Sequence, residues 1–470
     1  MNLTYGVKDK PSFGKLFVFA IQQLLAILVA TITVPASVSP DLSLSAALFG
    51  AGVGSIVYLL FTKFKSPVFL GSSFAFIGSM IAAFSGAISM NLGYLGLVLG
   101  AGFAGLVYVV LSVVVKFFGT GWISKIMPAV VIGPTVAIIG LSCAGFSVGL
   151  MNTGDYVKDG VATASPYALL ACAILSLAVV ALCSVFGKKT MKLIPFVLGI
   201  LAGYALALIF TGIGFLADAD ALKIVSFEPF KALVNDGVTL KTFLSLPDLT
   251  FVHAVKGIKD LDLNYVALLA IAYTPVAFVV FAEHIADHKN LSSIIGQELL
   301  EEPGLHRTLL GDGVGSIAGA FFGGCPNTTY GESIACVAIT GNASVYSILA
   351  AAILALCVAC ISPFVALLQS IPSCVLGGVT MTLYGFIAVS GLKMLQPLDL
   401  NDNKNIFVVS VILVSGVGGL AITFGKITLT TTACALILGI LTNLLVNLKK
   451  TDAPKAEETA TEEASADTEA

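Results

Sequence analysis

The sequence predicts an all-α polytopic membrane protein, one integral domain of about fourteen transmembrane spans. Three observations predict it. Hydrophobic residues make up 57% of the chain and charged residues only 11%. Apolar runs recur at near-regular spacing from Phe17 to Leu448, and lysines gather in alternate connections. A spanning helix needs roughly 20 mostly apolar residues, and with its connector takes about 30, so about 430 residues hold about fourteen spans.

The spans fall near 15–38, 44–62, 67–87, 93–117, 122–150, 164–187, 191–216, 264–285, 305–324, 329–349, 347–367, 373–394, 404–423 and 428–448. The tenth and eleventh overlap and are not cleanly separated. Lys8, Lys10 and Lys15 precede the first span, and Lys63 and Lys65 follow the second. Lys116 and Lys125 flank the connection after the fourth, and Lys188, Lys189 and Lys192 follow the sixth. Lys289 and Arg307 flank the connection after the eighth, Lys393 and Lys404 that after the twelfth, and Lys449 and Lys450 end the fourteenth. Even-numbered connections carry the positive charge, with Lys426 as an exception. The positive-inside rule then places the chain in the cytoplasmic membrane with both termini in the cytoplasm.

This divides the chain into a cytoplasmic segment 1–14, a membrane domain 15–450 and a tail 451–470. The tail is acidic, with Lys455 as its single cation inside Thr451–Ala470, and is predicted to be disordered and cytoplasmic. The hydrophilic stretch 217–263 carries Asp218, Asp220, Glu228, Asp236, Asp248, Asp260 and Asp262 and reads as an extracellular connection. It separates a first set of seven spans (about 15–216) from a second (about 264–448), which invites an inverted repeat. The polar N-terminus has no short apolar region with a cleavage site, so no removable signal peptide is predicted.

Several function classes are excluded. A net charge of −3 and no basic stripe with aromatics argue against a nucleic-acid partner. No HExxH, G-x-S-x-G or metal-ligand cluster is present, so neither an enzyme nor a cofactor is predicted. The nine cysteines lie in apolar surroundings and read as small core residues; Cys357 and Cys360 lack the setting of a redox C-x-x-C. Glycine strings such as Gly50-Ala-Gly-Val-Gly54 serve close helix packing, since no Lys-Ser/Thr follows.

Two glutamates resist the bland reading. Glu283 closes the apolar run from Tyr273, and Glu332 follows the turn-like Gly324-Cys-Pro-Asn-Thr-Thr-Tyr-Gly331. A carboxylate at bilayer depth costs at least about 2.5–3.5 kcal/mol, so such residues face a cavity. Two spans are interrupted in matching places. The third opens Ser66-Pro-Val-Phe-Leu-Gly71-Ser-Ser-Phe-Ala-Phe76, and the tenth opens Cys325-Pro-Asn-Thr-Thr-Tyr-Gly331. Proline removes a donor and disturbs the residue before it. Non-helical backbone at bilayer depth persists only where it lines protein or a cavity, and a helix starting there presents free N–H groups.

Acceptor carboxylates and backbone donors in one plane complement a flat imide ring, with its N–H donors between C=O acceptors. Phe74, Phe76, Tyr330 and Tyr384 are the candidate aromatic neighbours. Burial disfavours a charged carboxyl, which lets proton uptake accompany substrate binding.

Pro326-Asn-Thr-Thr-Tyr-Gly-Glu332, Gly71-Ser-Ser-Phe-Ala-Phe-Ile77, Ala282-Glu-His284 and Pro303-Gly-Leu-His-Arg307 together resemble the uracil-transporting branch of the nucleobase–ascorbate transporter (nucleobase:cation symporter) family. The resemblance runs from about Gln22 to Leu448. It implies two inverted repeats of seven spans, divided into core and gate domains, with short strand pieces in spans three and ten meeting at the substrate. It implies uracil uptake with protons, and a homodimer in which core moves against gate. It implies that Glu283 and Glu332 bind the uracil edge, and that the N–H groups of Phe74 and Gly331 bind or orient the base. Tyr330 lines the site, and Tyr384 approaches from the gate. Purine-carrying relatives usually have glutamine where this chain has Glu332, which favours a pyrimidine.

The chain departs from the family pattern in two places. Ser333-Ile334-Ala335 stands where relatives commonly read Asn-x-Gly, and Asp287 stands where the pattern has histidine four residues after the glutamate, with His288 next. Positions four apart share a helix face, so Asp287 is either a partner of Glu283 in holding the coupling proton or a solvated helix-end acid. His288 points about 100° away and is expected at the cytoplasmic end. His284 reads as a packing or capping residue, and Asp312 as a hydrogen-bonding joint between helices. The sequence therefore predicts a proton-coupled uracil importer, with sodium as an open alternative ion. The rival readings are a xanthine or urate symporter and, further off, an anion exchanger or channel of related architecture.

Overall fold

A computed structural model describes residues 3–152, 156–158, 161–235, 237–424 and 427–448. The predicted tail 451–470 lies outside the described residues. Among those described, eight helices are long and apolar enough to cross a membrane: Phe13–Val38, Leu44–Phe61, Met90–Phe118, Ala129–Asn152, Pro166–Phe186, Pro195–Leu216, Leu263–Ile295 and Ser373–Lys393. Shorter apolar helices cover Phe74–Gly86, Gly331–Thr340, Val345–Ala359, Asn403–Val417 and Thr431–Val446. Leu305–Gly323 is long enough to cross but carries His306, Arg307 and Asp312. The order is the predicted one, and the fold is the predicted helical membrane bundle.

Local chemistry sets the ends. Asp262 accepts from Tyr265 N at 2.7 Å to cap the 33-residue helix Leu263–Ile295, which stops at Gly296 in left-handed conformation (φ 69°). Ser89 caps Met90–Phe118 through Leu92 N. Such caps satisfy donors that a helix start leaves free. The boundary that the sequence left blurred, between the tenth and eleventh spans, is sharp. The tenth is a half-helix, Gly331–Thr340, that ends at Gly341 (φ 69°), and Val345–Ala359 follows. The fifth predicted span is broken into Ile123–Ile126, Ala129–Ser142 and Ala144–Asn152, with Pro128 at the first break.

Spans three and ten are interrupted as the prolines and glycines predicted. Leu70–Ser72 and Asn327–Thr329 are strand pieces, paired antiparallel with Leu70 opposite Thr329 and Ser72 opposite Asn327. A short 3₁₀ turn, Phe74–Phe76, leads into Ile77–Gly86 after the first piece, and Gly331–Thr340 follows the second. Each half of the chain thus supplies a strand and a half-helix, running in opposite senses.

Helix contacts sort into two bodies. In the first, Leu305–Gly323 packs on Leu44–Phe61 and Met90–Phe118, while Val345–Ala359 packs on Phe13–Val38 and Leu44–Phe61, and Leu263–Ile295 on Met90–Phe118. In the second, Ser373–Lys393 packs on Ala129–Ser142 and Pro166–Phe186, and Asn403–Val417 on Thr431–Val446. These are the core and gate. A Cβ on Gly54 would lie 2.8 Å from Gly315 O, so glycine lets the core helices approach backbone to backbone. The connection 217–263 is partly ordered: Thr250–Gly257 packs on Met90–Phe118, and Lys223 pairs with Asp220 at 2.6 Å. The N-terminal segment is also held. Thr4 N donates to Gly341 O at 2.7 Å, and Ala343 N to Tyr5 O at 2.9 Å.

Candidate functional site

The strand pair positions everything else. Ser55 Oγ accepts from Leu70 N at 2.8 Å and donates to Leu70 O at 3.1 Å, pinning the first piece to helix Leu44–Phe61. Asn327 Nδ2 donates to Gly50 O at 3.1 Å and pins the second to the same helix. Tyr330 folds its ring over Gly71 and donates to Ser72 O at 2.7 Å. A Cβ at Gly71 would overlap that ring, which is why glycine stands there. Phe74 and Gly331 begin the two half-helix segments, so their N–H groups have no acceptor within their own helix.

Between core and gate lies a cavity of about 440 Å³. Glu283, Asp287, Glu332, Phe74, Tyr330 and Gly331 all line it. The core wall is completed by Ser73, Thr328 and Thr329, and the gate wall by Val136, Phe196, Phe386, Ile387 and Ser390. The cavity reaches Lys192 and Met394, residues that flank connections on the lysine-rich side of the chain. Its walls are apolar with a few convergent polar groups, the usual make-up of a small-molecule site.

Glu283 and Asp287 are one helical turn apart and face the cavity together. Asp287 Oδ2 accepts from Thr329 Oγ1 at 2.7 Å, which ties it to the second strand piece. Of the two sequence readings of Asp287, this geometry matches a member of the cavity cluster and not a solvated end acid. A stripe about 100° round the same helix carries the imidazoles. His284 Nδ1 meets Asp312 Oδ2 at 2.7 Å, and its Nε2 meets Thr308 Oγ1 at 2.9 Å. His288 stacks on His284 with centroids 4.0 Å apart. Its Nδ1 donates to His284 O at 2.8 Å, and its Nε2 meets Tyr58 Oη at 2.6 Å. Both histidines are fully buried; His288, expected at the helix end, is part of the core. Asp312 joins helices as the sequence suggested.

Tyr384 is not among the cavity-lining residues. It is 2% exposed, its ring stands edge-on to Phe74 at 5.5 Å, and its hydroxyl meets Ser37 Oγ at 3.1 Å. It backs Phe74 from the gate side instead of reaching the cavity. Phe76 likewise packs away, stacked on Tyr273 at 5.6 Å. Ser333 does not support the Glu332 carboxylate: its Oγ accepts from Phe69 N at 3.0 Å and from Gln23 Nε2. It locks the half-helix start to both the first strand region and helix Phe13–Val38. Sequence reasoning missed Thr329, which lay within the recognised motif, and the gate residues Phe196 and Ile387, whose apolar character carries no signal by itself. Lys192 was read only as a topology marker.

Residues 14–424 match the model of a permease family. The uracil permease of Bacillus subtilis (strain 168) is 37% identical over 451 residues, covering 95% of each chain. The uracil permease of Escherichia coli (strain K12) is 34% identical over 445 residues, 94% of each. Among solved structures, the transmembrane domain of the cyanobacterial bicarbonate transporter BicA superposes with a TM-score of 0.61 at 13% identity, covering 93% of this chain and 99% of that one. Murine Slc26a9, an anion transporter in the inward-facing state, gives 0.61 at 12% identity, over 94% and 69%. The likeness to these two is one of fold.

Proposed function

Because the chain belongs to the permease family that contains these uracil permeases, we propose that it carries uracil across the cytoplasmic membrane in symport with protons, by alternating access. The observation that carries the reading is the convergence of Glu283 and Glu332 with two helix starts on one cavity between core and gate. Glu283 and Glu332 accept from or, when protonated, donate to the ring edge. The N–H groups of Phe74 and Gly331 bind carbonyl oxygens or orient the base, and Tyr330 walls the site. Asp287, one helical turn from Glu283 on the wall that Glu332 also lines, shares the coupling proton with the two glutamates. Tyr384 acts through Phe74 and not on the ring. Fourteen membrane crossings, cytoplasmic termini and a homodimer complete the picture.

The fold it shares with anion transporters does not extend to their cargo. Three acidic side chains line the cavity, and they would repel an anion at the half-helix starts that could otherwise hold it. The test is uptake of radiolabelled uracil into vesicles with an imposed pH gradient. Acid outside is expected to drive accumulation that a protonophore abolishes. Uptake unchanged by Glu283→Gln and Glu332→Gln together would sink the site; competition by xanthine but not uracil would move the cargo to the purines, and a sodium gradient acting alone would replace the proton.

A further inference from the structure

A second, far smaller space adjoins the cavity wall. It measures about 10 Å³ and is bounded by Phe76, Tyr108, Asp312, Ser316, Asn327 and Thr328, among others. Thr328 lines both spaces. Two polar atoms here have no hydrogen-bond partner within the protein among the described residues: Asp312 Oδ1 and Tyr108 Oη. Asp312 is 1% exposed and Tyr108 4%. A buried carboxyl oxygen or phenol without a partner is strongly unfavourable, so the space calls for a small polar occupant. One water needs about 10–15 Å³ and two to four polar partners. The space is of that size, its walls are mostly apolar, and the two orphaned atoms belong to side chains that bound it.

Charge decides between a water and a cation. Thr308 Oγ1 donates its one proton to Leu305 O at 3.1 Å, so it accepts from His284 Nε2–H. His284 Nδ1 and Asp312 Oδ2 then share a single further proton across 2.7 Å. Wherever that proton sits, the pair is neutral overall, and a cation gains little there.

We propose that one water molecule occupies this space, donating to Asp312 Oδ1 and accepting from Tyr108 Oη. The water makes Asp312 a positioning residue. One carboxyl oxygen holds His284, the other holds the solvent that abuts Thr328, and the helix Leu263–Ile295 is thereby fixed in the rotation that turns Glu283 and Asp287 into the cavity. The water itself does not depend on what the cavity carries; its consequence for transport rests on the proposed function above.

The test uses the full-length protein. A structure at a resolution that shows solvent is expected to have one peak about 2.7–3.1 Å from both orphaned atoms, lost in Ser316→Val, which fills the space; a vacant space in the wild type overturns the proposal. Tyr108→Phe keeps the ring against His284 and removes the hydroxyl. It is expected to lower the unfolding midpoint by about 1–2 °C, with the loss much reduced in an Asp312→Asn background. Fully additive losses overturn the bridge. A midpoint raised by sodium chloride over potassium or choline chloride, and not in Asp312→Asn, overturns the water in favour of an ion. For positioning, Tyr108→Phe is expected to raise the half-saturating uracil concentration about tenfold with the maximal rate near wild type; a lower maximal rate with half-saturation unchanged would make the role one of packing only. Wild-type vesicles that take up no uracil would count against the proposed function and leave the structural and thermal arms intact.

Discussion

At the scale of single residues, neighbours in sequence divide the labour. Glu332 and Ser333 are adjacent, yet one lines the cavity and the other is the bolt behind it. Glu332→Gln keeps shape and removes the ionisable acceptor. It is expected to cut uracil uptake by at least about tenfold, since a lost charged hydrogen bond is worth about 1.5–3 kcal/mol, while leaving the unfolding midpoint near wild type. Ser333→Ala does the reverse. It strands Phe69 N–H and the Gln23 amide in the core, at about 1–3 kcal/mol for an unmet buried group, and thermal unfolding of the detergent-solubilised protein should register the loss. Tyr384→Phe removes only a hydroxyl directed at Ser37 and is expected to change half-saturation less than about threefold; a larger effect would return Tyr384 to the cavity. The charge of Glu283 and Glu332 was legible because a carboxylate in an apolar run is costly. The role of Ser333 was not, because a buried serine has no cost visible in sequence and its partners lie 264 and 310 positions away.

At the scale of elements, the paired interruptions are the best-legible part of the fold. Proline followed by glycine marks where a helix cannot continue, and the repetition of that mark in both halves foretold the interruptions; that they are strand pieces was implied by the family resemblance. What the sequence did not show is the partner surface. Gly71 is needed for the ring of Tyr330, and Asn327 for the carbonyl of Gly50. Gly71→Ala forces the Tyr330 ring off the first strand piece and breaks its bond to Ser72 O. Uracil binding measured by calorimetry is expected to fall below detection while helix content by circular dichroism holds, because the overlap is confined to the crossing of two three-residue strands. The blurred boundary between spans ten and eleven has a plain cause. Ile334 to Ala338 and Val345 to Leu349 are equally apolar, and the break rests on Gly341 in left-handed conformation, with the N-terminal segment bound to its carbonyl. The stop had a local mark in Thr340-Gly-Asn-Ala-Ser344, too short to show against the apolar runs on either side when spans of about 20 residues are sought.

At the scale of the whole molecule, two helical bodies meet at one cavity, and the side on which it opens is a statement about state. Its lining runs from Glu283 and Glu332 to Lys192 and Met394, and Lys192 belongs to a connection that the lysine bias assigns to the cytoplasm. On the proposed topology the access is to the cytoplasmic side in this conformation, which no sequence could specify, since both ends of a transport cycle share one sequence. Cys336 makes this testable. It sits one turn beyond Glu332 and lines the cavity at 4% exposure. Cys143, Cys172, Cys183, Cys325, Cys374 and Cys434 are buried elsewhere, while Cys357 is exposed and Cys360 half-buried, so labelling is read in a Cys357→Ser, Cys360→Ser background. A membrane-impermeant thiol reagent should label Cys336 in inside-out vesicles and block uptake. Excess uracil should slow that labelling, and Cys336→Ser should abolish it without loss of transport. Right-side-out vesicles should label more slowly, by the fraction of time the core presents the cavity outward. Equal rates in the two orientations would mean that access is not gated by the packing of core on gate, and uracil without effect on the rate would separate this cavity from the transport path.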